Sequence, residues 1–226
     1  MPGVRLDDLR GKLIVVEGTD GVGRTTQVDL LRYWLEQRGH AVFDTGQARS
    51  ALAGKGIKRA KEGNTLNLIT FTLYYATDFA DRIENQIIPA LRAGFIVLTD
   101  RYIYSQIARS MVRGADPTWL RDLFSIALVP SAIFYLKVDL AHLVPRVAFN
   151  RGFDFWESGM DMRLGRDMYE SFCRYQTMML DTFDRMSSTY GFNVVDANGT
   201  ADDVFERLKR RVRPLLEVRE PRRSRR

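Results

Sequence analysis

The sequence predicts an α/β domain, a three-layer sandwich whose five parallel strands are covered by helices on both faces. Three observations lead there. Five short apolar segments, most of them rich in Val, Ile or Phe, recur along the chain: Leu13–Glu17, Ala41–Phe43, Phe95–Thr99, Ala132–Val138 and Phe192–Val195. Helical apolar patterns separate them, and strands alternating with helices specify a parallel sheet. The first segment runs directly into a glycine-rich turn and then into another helical pattern.

The helices are legible from their spacing. Leu31, Trp34 and Leu35 mark one face after the first strand. Ile69, Leu73, Ala76, Ala80, Ile83, Ile87 and Leu91 recur at steps of three and four, as do Met168, Phe172, Tyr175, Met179, Phe183 and Met186. Such stripes are read as core-facing helix sides. Asp116-Pro117 reads as an N-cap followed by proline at the first helical position. Thr200 to Asp203 reads as a capping box with Asp in place of Glu, and Asp139 before Leu140 reads as a further cap. The stretch 150–165, rich in glycine and charge between two helices, is the candidate for a mobile lid.

The 226 residues suit one domain, expected over 1–218, followed by a basic tail at 219–226 that is expected to be disordered. The net charge of +6 belongs to the C-terminal end: residues 207–226 hold ten Lys/Arg against two Asp/Glu, which leaves −2 for the rest. The tail is read as solvated, with weak nucleic-acid contact its only expected link to nucleic acid. No apolar run approaches the roughly 18 residues needed to span a bilayer, and Cys173 is the single cysteine, so no internal disulfide forms. These features point to a cytoplasmic protein without membrane contact. His40 and His142 lack nearby ligand types, and Cys173 reads as a packing residue.

The turn after the first strand is Gly18-Thr19-Asp20-Gly21-Val22-Gly23-Arg24-Thr25-Thr26. Strand, glycine-rich turn and helix start together make a phosphate loop of the P-loop NTPase kind. Glycines let backbone N–H groups curl round a phosphate, and the helix dipole adds positive potential. Thr25 stands where a hydroxyl binds Mg²⁺. The pattern wants lysine where this chain has Arg24; arginine keeps the charge but is longer and planar. Either Arg24 does the lysine's work with altered geometry, or the loop binds nucleotide with poor turnover.

A second apolar strand, Phe95–Thr99, ends in Asp100-Arg101-Tyr102. An acid there orients Mg²⁺ at the C-terminal edge of the sheet, and Arg101 beside it is placed to hold an incoming phosphate.

At this point the residues resemble the thymidylate kinase family. Val16 to Gln27 resembles its phosphate loop, Asp100-Arg101-Tyr102 with Ser105 its Asp-Arg-aromatic motif, and Val194-Val195-Asp196-Ala197-Asn198 with Val204 its late strand and adenine-side loop. The resemblance runs from about Lys12 to Arg210. It implies a nucleoside-monophosphate kinase using ATP and Mg²⁺, with dTMP the first acceptor to consider, and a homodimer. It implies that Gly18–Thr26 (Gly18, Thr19, Asp20, Gly21, Val22, Gly23, Arg24, Thr25 and Thr26) and Asp196, Ala197 and Asn198 hold ATP. Arg24, Asp100 and Arg101 would be catalytic, with Thr25 and Asp100 at the metal. Asp20, Tyr75, Phe79, Arg101, Ser105, Gln106 and Arg109 would face the acceptor, and Arg151, Asp154 and Glu157 would act from the lid.

The departures fall on the acceptor side and the lid. Gly46-Gln47-Ala48-Arg49-Ser50 replaces the family's Arg-Glu-Pro-Gly-Gly, Phe79 replaces an arginine, Arg109-Ser110 replaces Tyr-Gln, and Phe155 replaces a lid arginine. Arg49, Arg109, Arg146 and Arg163 are the candidate replacement charges. Three functions stay open: a dTMP kinase, a P-loop kinase with another acceptor, and a degenerate nucleotide-binding sensor or partner.

Overall fold

A computed structural model describes residues 5–63 and 66–217; the arginine-rich tail expected at 219–226 lies outside the described residues. The strands β1 (Lys12–Gly18), β2 (Val42–Gly46), β3 (Ile96–Asp100), β4 (Ala132–Lys137) and β5 (Asn193–Asp196) form one sheet in the order β2-β3-β1-β4-β5. All neighbouring pairs are parallel. Each expected apolar segment lies on a strand. β2 runs three residues past Phe43, because Asp44, Thr45 and Gly46 continue the pairing with β3. An edge strand tolerates polar side chains that an apolar run does not reveal.

The helices are α1 (Arg24–Glu36), α2 (Gly54–Glu62), α3 (Leu68–Arg82), α4 (Ile88–Arg92), α5 (Ile103–Val112), α6 (Pro117–Leu123), α7 (Leu140–Asn150), α8 (Met168–Tyr190) and α9 (Ala201–Leu216). Strand side chains alternate between two cores, as the two-residue period requires. Leu13, Val15, Val97, Ile133 and Tyr135 pack with α3 to α6 and α8. Ile14, Val16, Leu98, Phe134 and Leu136 pack with α1, α7 and α9. Burying each such aliphatic or phenylalanine side chain is worth about 1.5–3 kcal/mol, which fixes β1 at the centre and both layers over it.

The local signals hold in two places and fail in one. Asp116 accepts from Trp119 N at 2.8 Å, and Thr200 and Asp203 form the reciprocal capping box. Asp139 stands at the N-cap of α7, but its carboxylate accepts from Asn198 Nδ2 at 2.9 Å instead of capping the helix. That contact joins the ends of β4 and β5.

The stripe from Ile69 to Leu91 is only half core. Ile69 and Leu73 are 63% and 45% exposed, while Phe71, Thr72, Tyr75, Asp78, Phe79 and Arg82 face inward. A π-helical segment at Ile83–Ile87 joins α3 to α4. The extra residue per turn shifts the buried face, so Ile83, Ile87, Ile88 and Leu91 return to the core.

Candidate active site

The strands' C-terminal ends gather Gly18, Gly46, Asp100, Lys137 and Asp196 on one edge, where ligands of open parallel sheets bind. The turn from β1 to α1 needs its glycines. Gly21 has φ +82°, and a Cβ there would meet Val147 Cγ2 at 2.3 Å. Gly23, at φ +99°, is the N-cap of α1 and offers no side-chain cap. The first-turn N–H groups of α1 are therefore free of a capping side chain at the positive end of the helix dipole.

The first side chains of α1 reach across to β3. Arg24 Nε donates to Asp100 Oδ1 at 2.9 Å, and its Nη1 donates to the carbonyls of Gly18, at 2.8 Å, and of Thr19. Thr25 Oγ1 donates to Asp100 Oδ2 at 2.6 Å. Burial alone would raise the Asp100 carboxyl; Arg24 and then Arg101 outweigh it and hold the group below its ordinary value. A hydroxyl and a carboxylate side by side are the hard oxygen donors that suit Mg²⁺ carried in on phosphates, so Thr25 and Asp100 fit that ion.

Next along the chain, Arg101 adopts φ +71°, a left-handed conformation costing a non-glycine residue roughly 1–2 kcal/mol. Its backbone is held by Arg101 N to Val16 O at 3.0 Å and Thr99 Oγ1 to Arg101 O at 2.6 Å. The guanidinium donates to Ser105 Oγ at 3.0 Å and pairs with Asp20. Arg109 Nη2 grips both Asp20 oxygens, at 2.8 and 2.9 Å. Burial opposes the Asp20 charge, but the two arginines hold its carboxyl far below the usual range. Burial, followed by the adjacent Arg109, pulls Arg101 down to about 10.

Asp20, Arg24, Thr25, Asp100, Arg101 and Arg109 line one cleft of about 910 Å³. Of the expected residues it gathers Asp20, Gly21, Gly23, Arg24, Thr25, Thr26, Tyr75, Asp100, Arg101, Arg109, Arg151 and Glu157. The replacement cations Arg49 and Arg146 line it too; Arg163 does not. Phe79 is also elsewhere: it packs edge-on against Tyr102 at 5.0 Å, inside the core. With no charge to solvate, a phenylalanine at this position turns away from the cleft. Ser105 and Gln106 are buried behind the cleft wall. Asp154 shapes its own loop, accepting from Trp156 N and Glu157 N at 2.9 and 3.1 Å. Asp196, Ala197 and Asn198 lie past the cleft at the end of β5; Arg146, donating to Gly199 O at 2.8 Å, is the bridge between them and the cleft.

Several working residues escaped sequence reasoning. Lys61, the last of three lysines (Lys55, Lys58, Lys61) spaced by three on α2, lines the cleft. Burial and then Arg109 hold its ammonium below the ordinary value. The three-residue spacing was the available signal. Asp78, fully buried, accepts from Ala48 N and Ser50 N at 3.0 and 2.9 Å and so shapes the loop after β2. Arg82 Nε pairs with it at 2.9 Å, a helical i,i+4 pair. The segment expected as a lid is seated by Trp156, which stacks on Phe71 at 5.0 Å and donates to Lys61 O at 2.9 Å.

A glycine turn that feeds a helix dipole, with an acid on the neighbouring strand and a cationic cleft beside it, defines a P-loop nucleotide-binding protein. Comparison with known proteins narrows the class. The family model described as thymidylate kinase matches residues 16–208. The chain is 37% identical over 198 residues to probable thymidylate kinase 2 of Saccharolobus solfataricus, covering 87% of this chain and 92% of that one. It is 28% identical to the thymidylate kinase of Caldicellulosiruptor saccharolyticus over 93% of this chain and all of the other. It is 34% identical to the probable thymidylate kinase of Pyrococcus horikoshii, over 62% of this chain and 71% of that one. The chain belongs to the thymidylate kinase family.

Proposed function

We propose that this chain is an ATP-dependent nucleoside-monophosphate kinase that transfers the γ-phosphoryl group of ATP to dTMP. The observation that supports this best is the gathering of two neighbouring charged groups in one cleft. Arg24, Thr25 and Asp100 stand at the phosphate loop, and Arg101, Asp20 and Arg109 stand beside them. Phosphoryl transfer needs positioning and charge neutralisation more than a side-chain nucleophile.

In this reading the amides of Gly21–Thr25 hold the donor phosphates and Arg24 turns from the loop carbonyls toward them. Thr25 and Asp100 would hold Mg²⁺, which would supply neutralising charge on the donor phosphates. Arg101 holds the acceptor's phosphate in line; one of its oxygens forms the new P–O bond as the bond to the ADP oxygen breaks. Asp20 lies on the sugar side, Tyr75 on the base side, and Lys61 and Arg109 supply cations on the acceptor side. Residues 150–165 close over the site from Arg151 and Glu157, excluding water. Asp196, Ala197 and Asn198 flank the adenine.

One domain at 1–218, a homodimer and a cytoplasmic setting complete the proposal. That no described helix is long and apolar enough to cross a membrane agrees with it. Release of ADP, followed with Mg²⁺, ATP and each common monophosphate in turn, tests the reading. Preference for dTMP supports it; turnover with a different monophosphate alone redirects the acceptor.

A second reading rests on one observation. Arg24 is already engaged by Asp100 and two loop carbonyls. If that engagement outlasts nucleotide binding, the chain binds ATP with little turnover and serves as a sensor or partner. Nucleotide binding in calorimetry with no ADP release from ATP with any acceptor would support it.

A further inference from the structure

We infer that Glu17 and Ser105 are positioning residues that act through Arg101, so that a carboxylate inside β1 sets the phosphate affinity of the acceptor site. The inference rests on the acceptor role proposed for Arg101.

Glu17 is completely buried, although it follows the apolar run of β1 in a phosphate-loop sequence. A buried carboxylate is costly unless hydrogen-bonded, and this one has donors for both oxygens. Oε1 accepts from Tyr102 N at 2.8 Å and Ser105 N at 3.2 Å; Oε2 accepts from Ser105 Oγ. Tyr102 is the N-cap of α5 and supplies no capping side chain. Glu17 therefore caps α5 from another strand, 85 and 88 residues away in sequence.

The chain of contacts continues into the cleft. Ser105 gives its hydroxyl hydrogen to Glu17, so its oxygen lone pair is left for Arg101 Nη1 at 3.0 Å. The same Nη1 reaches Gly18 O at 3.4 Å. Nη2 is taken by Asp20. Glu17 thus fixes the direction of the serine hydroxyl, and the serine fixes one edge of the guanidinium. Burial pushes the Glu17 carboxyl up, while Ser105, Tyr102 and Arg101 oppose that shift. The Arg101 side chain is thereby held from three sides, by Ser105, Gly18 and Asp20. Neither Glu17 nor Ser105 lines the cleft, which distinguishes their role from direct contact with the acceptor.

Calorimetric binding of dTMP, thymidine and ATP–Mg²⁺ to wild type, Ser105→Ala and Glu17→Gln, with melting curves for each, tests the inference. Ser105→Ala removes the link and leaves Glu17 Oε1 capping α5. It is expected to weaken dTMP about tenfold, the scale of one charge-assisted hydrogen bond, with thymidine and ATP within about twofold of wild type. Glu17→Gln places a donor opposite the serine oxygen and is expected to act in the same direction. Should Glu17→Gln fail to fold, Ser105→Ala decides alone. Unchanged dTMP binding in a folded Ser105→Ala protein, or equal loss for dTMP, thymidine and ATP, overturns the inference. Wild type that binds no monophosphate overturns the acceptor role of Arg101 and this inference with it; wild-type binding unaffected by Ser105→Ala overturns the positioning role alone.

Discussion

Arg24 Nε and Asp100 Oδ1 meet at 2.9 Å across the phosphate loop, with both side chains about nine-tenths buried. The residue that departs from the usual lysine is thereby bound to the acid proposed to hold Mg²⁺. Arginine can do this because its fork serves a carboxylate and two loop carbonyls at once; an ammonium has no such planar spread.

Removing that arginine should separate charge from geometry. Arg24→Ala is expected to lower kcat/KM by about 10³-fold, the scale seen when a transition-state arginine is lost. It also strands Asp100 without its partner, so urea unfolding should show a loss on the order of 3 kcal/mol. Arg24→Lys keeps the charge, and steady-state ADP release should stay within about tenfold of wild type. Full activity in Arg24→Ala would remove Arg24 from the mechanism.

Acid should unfold the protein from the site outward. Asp20 and Asp100 are both held below their ordinary value of 3.8 by neighbouring arginines. For such acids the unfolded chain binds more protons, so stability is fully present above that value and is lost as pH falls below it. Asp20→Asn and Asp100→Asn should flatten this acid limb of the melting temperature; an unchanged limb would show that other carboxylates set it.

Lys61 should matter to the acceptor and not to ATP. Lys61→Met is expected to raise the acceptor KM about tenfold at neutral pH, the worth of one partly desolvated charge contact. Because burial and Arg109 lower the ammonium below its ordinary 10.5, the wild-type acceptor KM should climb with pH before free lysines titrate. The Lys61→Met profile should lack that climb, and identical profiles would exclude Lys61 from acceptor binding.

Gly21 and Gly23 of the loop should differ in how they fail. Gly21→Ala adds a Cβ against Val147 and strains φ +82°, whereas Gly23→Ala at φ +99° meets open space. Val147→Ala should recover part of the stability lost in Gly21→Ala and none of that lost in Gly23→Ala, measured by thermal unfolding. Equal recovery in both would mean that backbone strain alone governs the loop.

Much of this architecture was legible because it repeats simple periods. Leu13 to Val16 is apolar at every position, which a central parallel strand buried on both faces requires. Thr200 and Asp203 sit at the spacing a capping box needs. The phosphate loop was legible because its chemistry is local: adjacent residues make one turn. The acceptor side was not, because its contacts join distant segments. Nothing near Phe79 announces that Asp78 holds the amides of Ala48 and Ser50, 30 and 28 residues away. The inward face of α3 carries these polar groups, so the apolar stripe through Ile69 and Leu73 pointed outward instead. Glu17 looked like the end of a strand; its partners lie 85 and 88 residues away.

Single-turnover transfer from γ-labelled ATP, with enzyme in excess over ATP and with Mg²⁺ and dTMP present, tests the central claim most directly. Label appearing in dTDP, and its loss in Arg101→Ala, is the predicted result. Label that stays in ATP, or emerges only as inorganic phosphate while dTMP remains unchanged, would contradict the account.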